Sequence, residues 1–322
     1  MTNRNFISTR KMSHEEWLEK RRSSIGGSDI AVILGISPYK TPFGLWMEKT
    51  GRKEPDDLSG NKYVQFGVKL EPVIADWFAE EHPEYKVMND NKIRYHEKYK
   101  FLSANLDRII VDEWGERGVL EIKTTTSQGF KKWQSGGALC DGFKIDQTYY
   151  AQMQHYLAIT GFKYGMFAIL VDKDLKTTIV HRDDRWIDRA VAKAVEWYEN
   201  HIVADQEPPL VNADFEMVVP EQGSVAMADI DVYAAWKKLN LLKVEKKELE
   251  ALIEEQENII KGAVVDAETL TFNGEVLCTW KPQTSNRFDS TRFKKENPIQ
   301  YQDYTKQTTT RVFRLKGAKE DE

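Results

Sequence analysis

The sequence predicts an α/β fold over residues 1–205, a mixed central sheet flanked by helices, followed by a C-terminal helical arm and a small α+β tail. Two observations predict it. Along the chain the periodicity is helical, then strand-like, then helix, hairpin and helix, which describes a layered α/β core. The composition, 41% hydrophobic and 30% charged over 322 residues, is that of a globular chain long enough to bury a sizeable core.

Ser13 and Glu16 have the spacing of a capping box and start a helix that runs to about Arg22. The Gly26-Gly27-Ser28-Asp29 turn opens a second, short helix that stops near Gly35. Thr41 as N-cap, Pro42 at the first helical position and Gly51 past the last turn bracket a third. A long amphipathic helix covers about Lys62 to Glu81, with Val64, Leu70, Ile74, Trp77 and Phe78 inward and Pro72 marking a kink or a fresh start. Strand-like runs follow near Lys92–His96, Phe101–Ala104, Leu106–Asp112 and Val119–Lys123. Then come a helix near Ser127–Trp133, a glycine-rich loop over 135–143 and a helix from Ile145 to about Thr160. Tyr164–Val171 and Thr177–Arg182 form a hairpin joined by residues 172–176. Asp184–Ala204 is a helix with Trp186, Val191, Val195 and Tyr198 at its apolar positions.

A composition break at Asp205–Pro220 divides the chain into a domain over 1–205, a linker over 206–226 and a segment over 227–322. Beyond the linker, Met227–Ile260 is one long charged helix with Trp236, Leu242, Leu249, Leu252, Ile253 and Ile260 on a stripe. It is a coiled-coil arm or an amphipathic helix packed on the core. An Asn273-Gly274 turn then closes a hairpin. From Lys281 to Lys316 basic residues outnumber acidic ones and alternate with Phe288, Phe293, Tyr301, Tyr304 and Phe313. That mixture suits phosphate attraction with base stacking, or simply aromatic packing under solvated lysines.

Four pieces carry chemistry. Val119, Glu121 and Lys123 alternate onto one face of their strand, so a carboxylate and an ammonium share it, with Asp107 on the preceding strand. Two carboxylates beside a lysine make a site for a hard divalent cation that activates a water; Glu121 and Lys123 alone read first as a cross-strand salt bridge, and the flanking motifs turn the reading toward the metal site. Arg21 and Arg22 precede the Gly-Gly turn and Ser28, where backbone N–H groups, a hydroxyl and a guanidinium favour a terminal phosphate. Glu71 lies on the long helix, and Gln152 and Tyr156, four residues apart, share one face of a later helix.

In this order the motifs, RRxxIGGSD, GxxxEP, D…ExK and QxxxY, resemble the PD-(D/E)XK nuclease superfamily, and more closely its YqaJ-like viral recombinase family of phage alkaline exonucleases, over about Arg21 to Glu207. The resemblance implies a restriction-endonuclease-like core and a metal-dependent exonuclease that digests linear duplex DNA 5′→3′. Asp107, Glu121 and the main-chain carbonyl of Ile122 would ligate the metal, and Glu71 would complete its environment. Lys123 would orient the attacking water, Gln152 and Tyr156 would steady Lys123 and the DNA backbone, and Arg21 or Arg22 with Ser28 would hold the 5′ phosphate. Leu106 stands where the superfamily often has proline, and beside it Asn105 or Ser103 would face the DNA. The cofactor expected is Mg²⁺, or Mn²⁺. The partners implied are duplex DNA ends, a RecT-type single-strand annealing protein and further copies of the chain in a ring. A sequence-specific endonuclease and a catalytically silent DNA-binding phage assembly protein are the alternatives; the four site residues Glu71, Asp107, Glu121 and Lys123 are all present, which weighs against the second.

Several classes are disfavoured. Cys140 and Cys278 lie far apart and the six histidines are scattered, so neither a disulfide framework, a zinc site nor an iron–sulfur cluster is encoded. A net charge of −5 argues against a nonspecific basic nucleic-acid coat. With no bilayer-length apolar run and no basic-then-apolar leader, a cytoplasmic location with no membrane partner is expected; the resemblance to phage exonucleases implies that the cell is a bacterial host and the origin a phage or prophage.

Overall fold

The computed structural model describes residues 5–211, 214–215, 223–306 and 312–316. Two compact units are present, residues 1–217 and 218–322. Much of the expected linker, including residues 216–222, lies outside the described residues.

The first unit begins with β1 (Phe6–Ser8), α1 (His14–Arg22), α2 (Gly27–Ile33), α3 (Pro42–Lys49) and α4 (Lys62–Glu81). Their ends follow the capping chemistry read from the sequence. Ser13 and Glu16 form a reciprocal capping box on α1, Thr41 caps α3 ahead of Pro42, and Gly35 and Gly51 take φ of 72° just past α2 and α3. Helix α4 runs unbroken through Pro72. Its inward residues are Ile74, Ala75 and Phe78; Val64, expected inward, is exposed because the first turns of α4 extend past the core.

The strands β2 (Lys86–Met88), β3 (Lys92–Tyr95), β4 (Ser103–Ala104), β5 (Arg108–Val111) and β6 (Arg117–Thr125) come next. Helix α5 (Ser127–Gly136) leads into a two-stranded ribbon, β7 (Ala138–Leu139) with β8 (Lys144–Ile145), where the sequence suggested only a glycine-rich loop. Helix α6 (Gln147–Thr160) starts at its Asp146 cap, and β9 (Tyr164–Val171) and β10 (Asp174–His181) pair as a hairpin. That hairpin turns more tightly than the 172–176 loop expected, because Asp172 adopts φ 54° and the ladder closes at Asp174. Helix α7 (Asp184–Trp197) widens into a π-helical turn over Tyr198–Val203. The fully buried face of α7 is Ile187, Ala190, Ala194 and Trp197, one position away from the stripe expected, whose members are half-buried.

The central sheet has the order β10-β9-β6-β5-β2, and only β6 with β9 is parallel, so the sheet is mixed. A parallel pair needs a crossover, and α6 supplies it. Alternation along the strands gives the sheet two apolar faces. Val119, Ile109, Phe167 and Ile169 pack with Met153, Tyr156 and Leu157 of α6. Leu120, Ile122, Ile110 and Met166 pack with Ile74, Ala75 and Phe78 of α4. A second sheet, β1-β3-β4, lies in the same unit.

In the second unit, α8 (Ile230–Val264) starts at Asp229, whose side chain accepts from the Val232 N–H. The hairpin β11 (Thr269–Phe272) and β12 (Glu275–Thr279) turns at Asn273 and Gly274, with φ of 48° and 85°. Helices α9 (Ser290–Glu296) and α10 (Pro298–Asp303) follow. In the basic tail the Phe288 and Phe293 rings lie 5.0 Å apart, and Arg311 falls outside the described residues. No helix among the described residues is long and apolar enough to cross a membrane.

Candidate active site

The ladder between β5 and β6 positions the two carboxylates. Arg108 pairs with Leu120, so continuing the register by one residue sets Asp107 opposite Glu121. Directly opposed residues project to the same side of a sheet, here the side that α6 covers. The Ile122 N–H donates to Asp107 Oδ2 at 2.8 Å, which pins that carboxylate to the strand it faces. In an extended strand the N–H and C=O of one residue share an edge, so the Ile122 carbonyl also points past the end of the β5 ladder, toward Asp107.

Glu121 is 2% exposed. Its Oε1 accepts from Lys123 Nζ at 2.6 Å and from Gln152 Nε2 at 2.8 Å. Its Oε2 is buried with no hydrogen-bond partner among the described residues. An unpaired carboxylate oxygen in the interior costs free energy unless a cation or donor meets it. Burial, reinforced by the Glu121 charge, pushes Asp107 up to about 8. Two carboxylates thus crowd one place and Lys123 offsets only part of their charge. Burial lowers the Lys123 pKa, but the charges of Glu121 and Asp107 outweigh it and hold the ammonium above its ordinary value.

Gln152 also donates to the Tyr156 hydroxyl at 2.8 Å, so the helical i, i+4 pair acts as one unit against Glu121. Burial, then the charges of Glu121 and Asp107, raise the Tyr156 pKa well above 10 and keep the phenol neutral.

Glu71 stands apart from this group. Arg108 projects to the α4 side, where its Nη1 donates to Glu71 Oε1 at 2.7 Å and to the Asp107 carbonyl at 2.6 Å. Glu71 is therefore tied to the strand through Arg108. Among the described residues, no group of three or more His, Cys, Asp or Glu is arranged to hold a metal ion. The oxygen set at hand is two carboxylates and a main-chain carbonyl.

The Gly-Gly turn adjoins the same helix. A Cβ on Gly27 would lie 2.5 Å from the Tyr156 ring and 2.9 Å from Gln152 Cγ, so only glycine allows α2 to sit this close to α6. The Arg21 guanidinium lies 4.6 Å over the Trp17 ring, and Trp17 Nε1 donates to Asn105 Oδ1 at 3.3 Å, so Arg21 and Asn105 flank one indole. Ser28 is exposed at the start of α2. Arg22 instead pairs with Glu54 at 2.6 Å. Ser103 does not face outward as expected: it is 1% exposed, with its hydroxyl 2.7 Å from that of Ser24.

Three participants were not foreseen from the sequence. Tyr149 lies under Lys123, its ring centre 4.7 Å from Nζ; its i, i+3 spacing from Gln152 is a signal that could have found it. Arg108 follows Asp107 directly. Lys49 donates to the Arg21 and Ser24 carbonyls at 2.9 and 2.6 Å and pairs with Asp29 at 2.7 Å. Asp29 in turn accepts the Gly26 N–H at 2.9 Å, so Lys49 and Asp29 brace the turn from α1 to α2; no local pattern announces that long-range contact.

The solved structures to which the chain is similar include the alkaline exonuclease LHK-Exo of Laribacter hongkongensis (TM-score 0.48, 20% identity, 59% of this chain and 93% of that one). A phage-related exonuclease of Haemophilus somnus 129PT follows (TM-score 0.38, 17% identity, 57% and 96%). Residues 16–163 match the YqaJ-like viral recombinase domain. The uncharacterized protein YqaJ of Bacillus subtilis (strain 168) is 35% identical over 319 residues, 95% of each chain. With the motif order and with this full-length relative, the chain belongs to the YqaJ-like viral recombinase family.

Proposed function

We propose that the protein is a metal-dependent deoxyribonuclease that digests linear duplex DNA from 5′ ends and leaves 3′ single strands for recombination by annealing. The observation that carries this reading is the buried, unpartnered Oε2 of Glu121 beside Asp107. The donor set fits a hard divalent cation: two carboxylates and a carbonyl, with no soft ligand among them. Asp107, Glu121 and the Ile122 carbonyl would hold Mg²⁺, or Mn²⁺ in its place, with Glu71 reaching it only after releasing Arg108. Such an ion, when bound, lowers the pKa of a water and offsets charge on the phosphate.

The chain's own groups do the rest. Lys123, held between Glu121 and the Tyr149 ring, presents a fixed positive charge to a scissile phosphate and orients the attacking water. The water oxygen joins phosphorus as the bond to the leaving sugar oxygen breaks. Gln152 and Tyr156 fix the rotamer of Glu121, and through it that of Lys123. Arg21, rather than the Glu54-paired Arg22, would receive a 5′ phosphate with Ser28, while Asn105 would meet the backbone. A RecT-type annealing protein would take the exposed 3′ strand, and the setting is a phage or prophage in the bacterial cytoplasm.

Linear duplexes with and without a 5′ phosphate, and covalently closed circles, are incubated with Mg²⁺ and the shortened strand is identified. Loss of the 5′-ended strand, preference for the phosphate and intact circles are expected. Asp107→Ala should abolish cleavage, and Arg21→Ala should erase the preference for phosphate while cleavage continues. Rapid nicking of circles would replace this reading with an endonuclease, and near-normal cleavage by Asp107→Ala would remove the site.

A further inference from the structure

Helix α8 is 35 residues long, five heptads, yet apart from the buried Val264 at its end its long apolar stripe is exposed: Leu242 is 48% exposed, Leu249 58%, Ile253 49% and Ile260 46%. Their spacing is that of a coiled-coil seam. Val232, Leu239, Ile253 and Ile260 repeat every seven residues or a multiple of it, and Leu242 and Leu249 fall three places after that series. Lys246 and Gln256 interrupt the two series. Even with these two breaks, an apolar seam running about 40 Å along the helix is poorly tolerated bare in water.

The charge along α8 names the occupant. Residues 237–247 contain five lysines and one glutamate; residues 248–257 contain five glutamates and no basic residue. We propose that α8 pairs with the α8 of a second copy of this chain as an antiparallel two-stranded coiled coil, centred between Lys247 and Glu248. In that orientation the basic half of each helix lies along the acidic half of the other. The heptads agree with the same midpoint. Leu242 falls opposite Ile253, Leu239 opposite Gln256 and Lys246 opposite Leu249, so each series faces the other as antiparallel packing requires. Flanking the seam, Lys243 of each copy lies beside Glu250 of the other. A parallel pair would instead stack lysine half on lysine half and set Lys246 against itself, which like-charge repulsion disfavours. No residue of the nuclease site enters this argument, so it stands or falls independently of the proposed activity.

The test is sedimentation of the full chain over a concentration series. The wild type is expected to dimerise. Lys243→Glu, an exposed substitution that leaves helix propensity almost unchanged, should weaken dimerisation roughly tenfold by turning two attractions into repulsions. The double variant Lys243→Glu/Glu250→Lys should restore it. Orientation is read separately by mixing Lys246→Cys and Leu249→Cys proteins under mild oxidation: the mixed disulfide is expected. A chain that stays monomeric throughout, a charge swap that fails to restore pairing, or Lys246→Cys cross-linking to itself in preference would each overturn the proposal.

Discussion

Helix α6 buries Gln154 and His155 to 0% and 2% exposure, whereas α8 leaves Leu249 and Leu252 each 58% exposed. Both depart from the rule that apolar groups go inside, in opposite directions and for different reasons. Every buried polar group of α6 has a use. Gln154 Nε2 donates to the His181 carbonyl at 2.7 Å and its Oε1 accepts from the Asp183 N–H at 3.0 Å; His155 Nε2 lies 3.0 Å from the Ser103 carbonyl; Gln152 and Tyr156 serve Glu121. A polar helix can be buried when its partners are built into the surrounding strands and turns. The exposed apolar groups of α8 have no such partners in their own unit among the described residues. The first helix is complete within one chain, and the second awaits its complement.

The comparison breaks most visibly at the candidate site that α6 covers, on β6. Lys123→Ala is expected to slow single-turnover cleavage by about 10²–10³-fold, the scale seen when one preorganised charge is removed from a reacting centre. DNA binding, measured with Ca²⁺ or without metal, should change little. Lost binding with unchanged turnover would make Lys123 a docking residue.

A smaller effect is expected from His155. Burial lowers its pKa to about 4, and hydrogen bonding to Ser103 and the Asp29 charge oppose the shift without offsetting it. The folded state therefore prefers the neutral ring, while the unfolded chain binds a proton near the ordinary value. Stability from this group is full above about pH 6.5 and is lost as pH falls toward 4, a change of roughly 3 kcal/mol. Urea unfolding of the wild type and of His155→Gln should show the gap between them narrowing over that window. A constant gap would mean that the ring is not held neutral by burial.

The smallest effect belongs to α8. Leu249→Gln should alter the unfolding free energy of the separated protomer by less than about 0.5 kcal/mol, since the side chain is exposed there. A loss of several kcal/mol at concentrations too low for association would show that the seam is already covered within the chain.

Much of this architecture is legible in the residues because it is local. Helix ends were announced by Ser13, Thr41, Gly35 and Gly51, and the carboxylate–lysine face by alternation along β6. The missed pieces are those set at long range. Strand β1 exists through pairing of Phe6 with Arg94, and β2 through pairing of Val87 with Ile110. The buried face of α7 was misread by one position because small alanines at 190 and 194 pack closer than the larger Val191 and Val195. At the site, the spacing could align Asp107 with Glu121 but could not show that Arg108 engages Glu71, since that choice depends on where α4 crosses the sheet.

The close approach of Gly27 to α6 has an evolutionary consequence. Residues 27, 152 and 156 occupy one shared volume, so they cannot drift independently. Alanine at 27 becomes acceptable only with a smaller side chain at 156 and a displaced Gln152, and those changes alone would leave a void beside Glu121. The three positions form an epistatic set in which each substitution is harmful singly and tolerable only in company, which ties a turn near the N-terminus to a helix more than a hundred residues later.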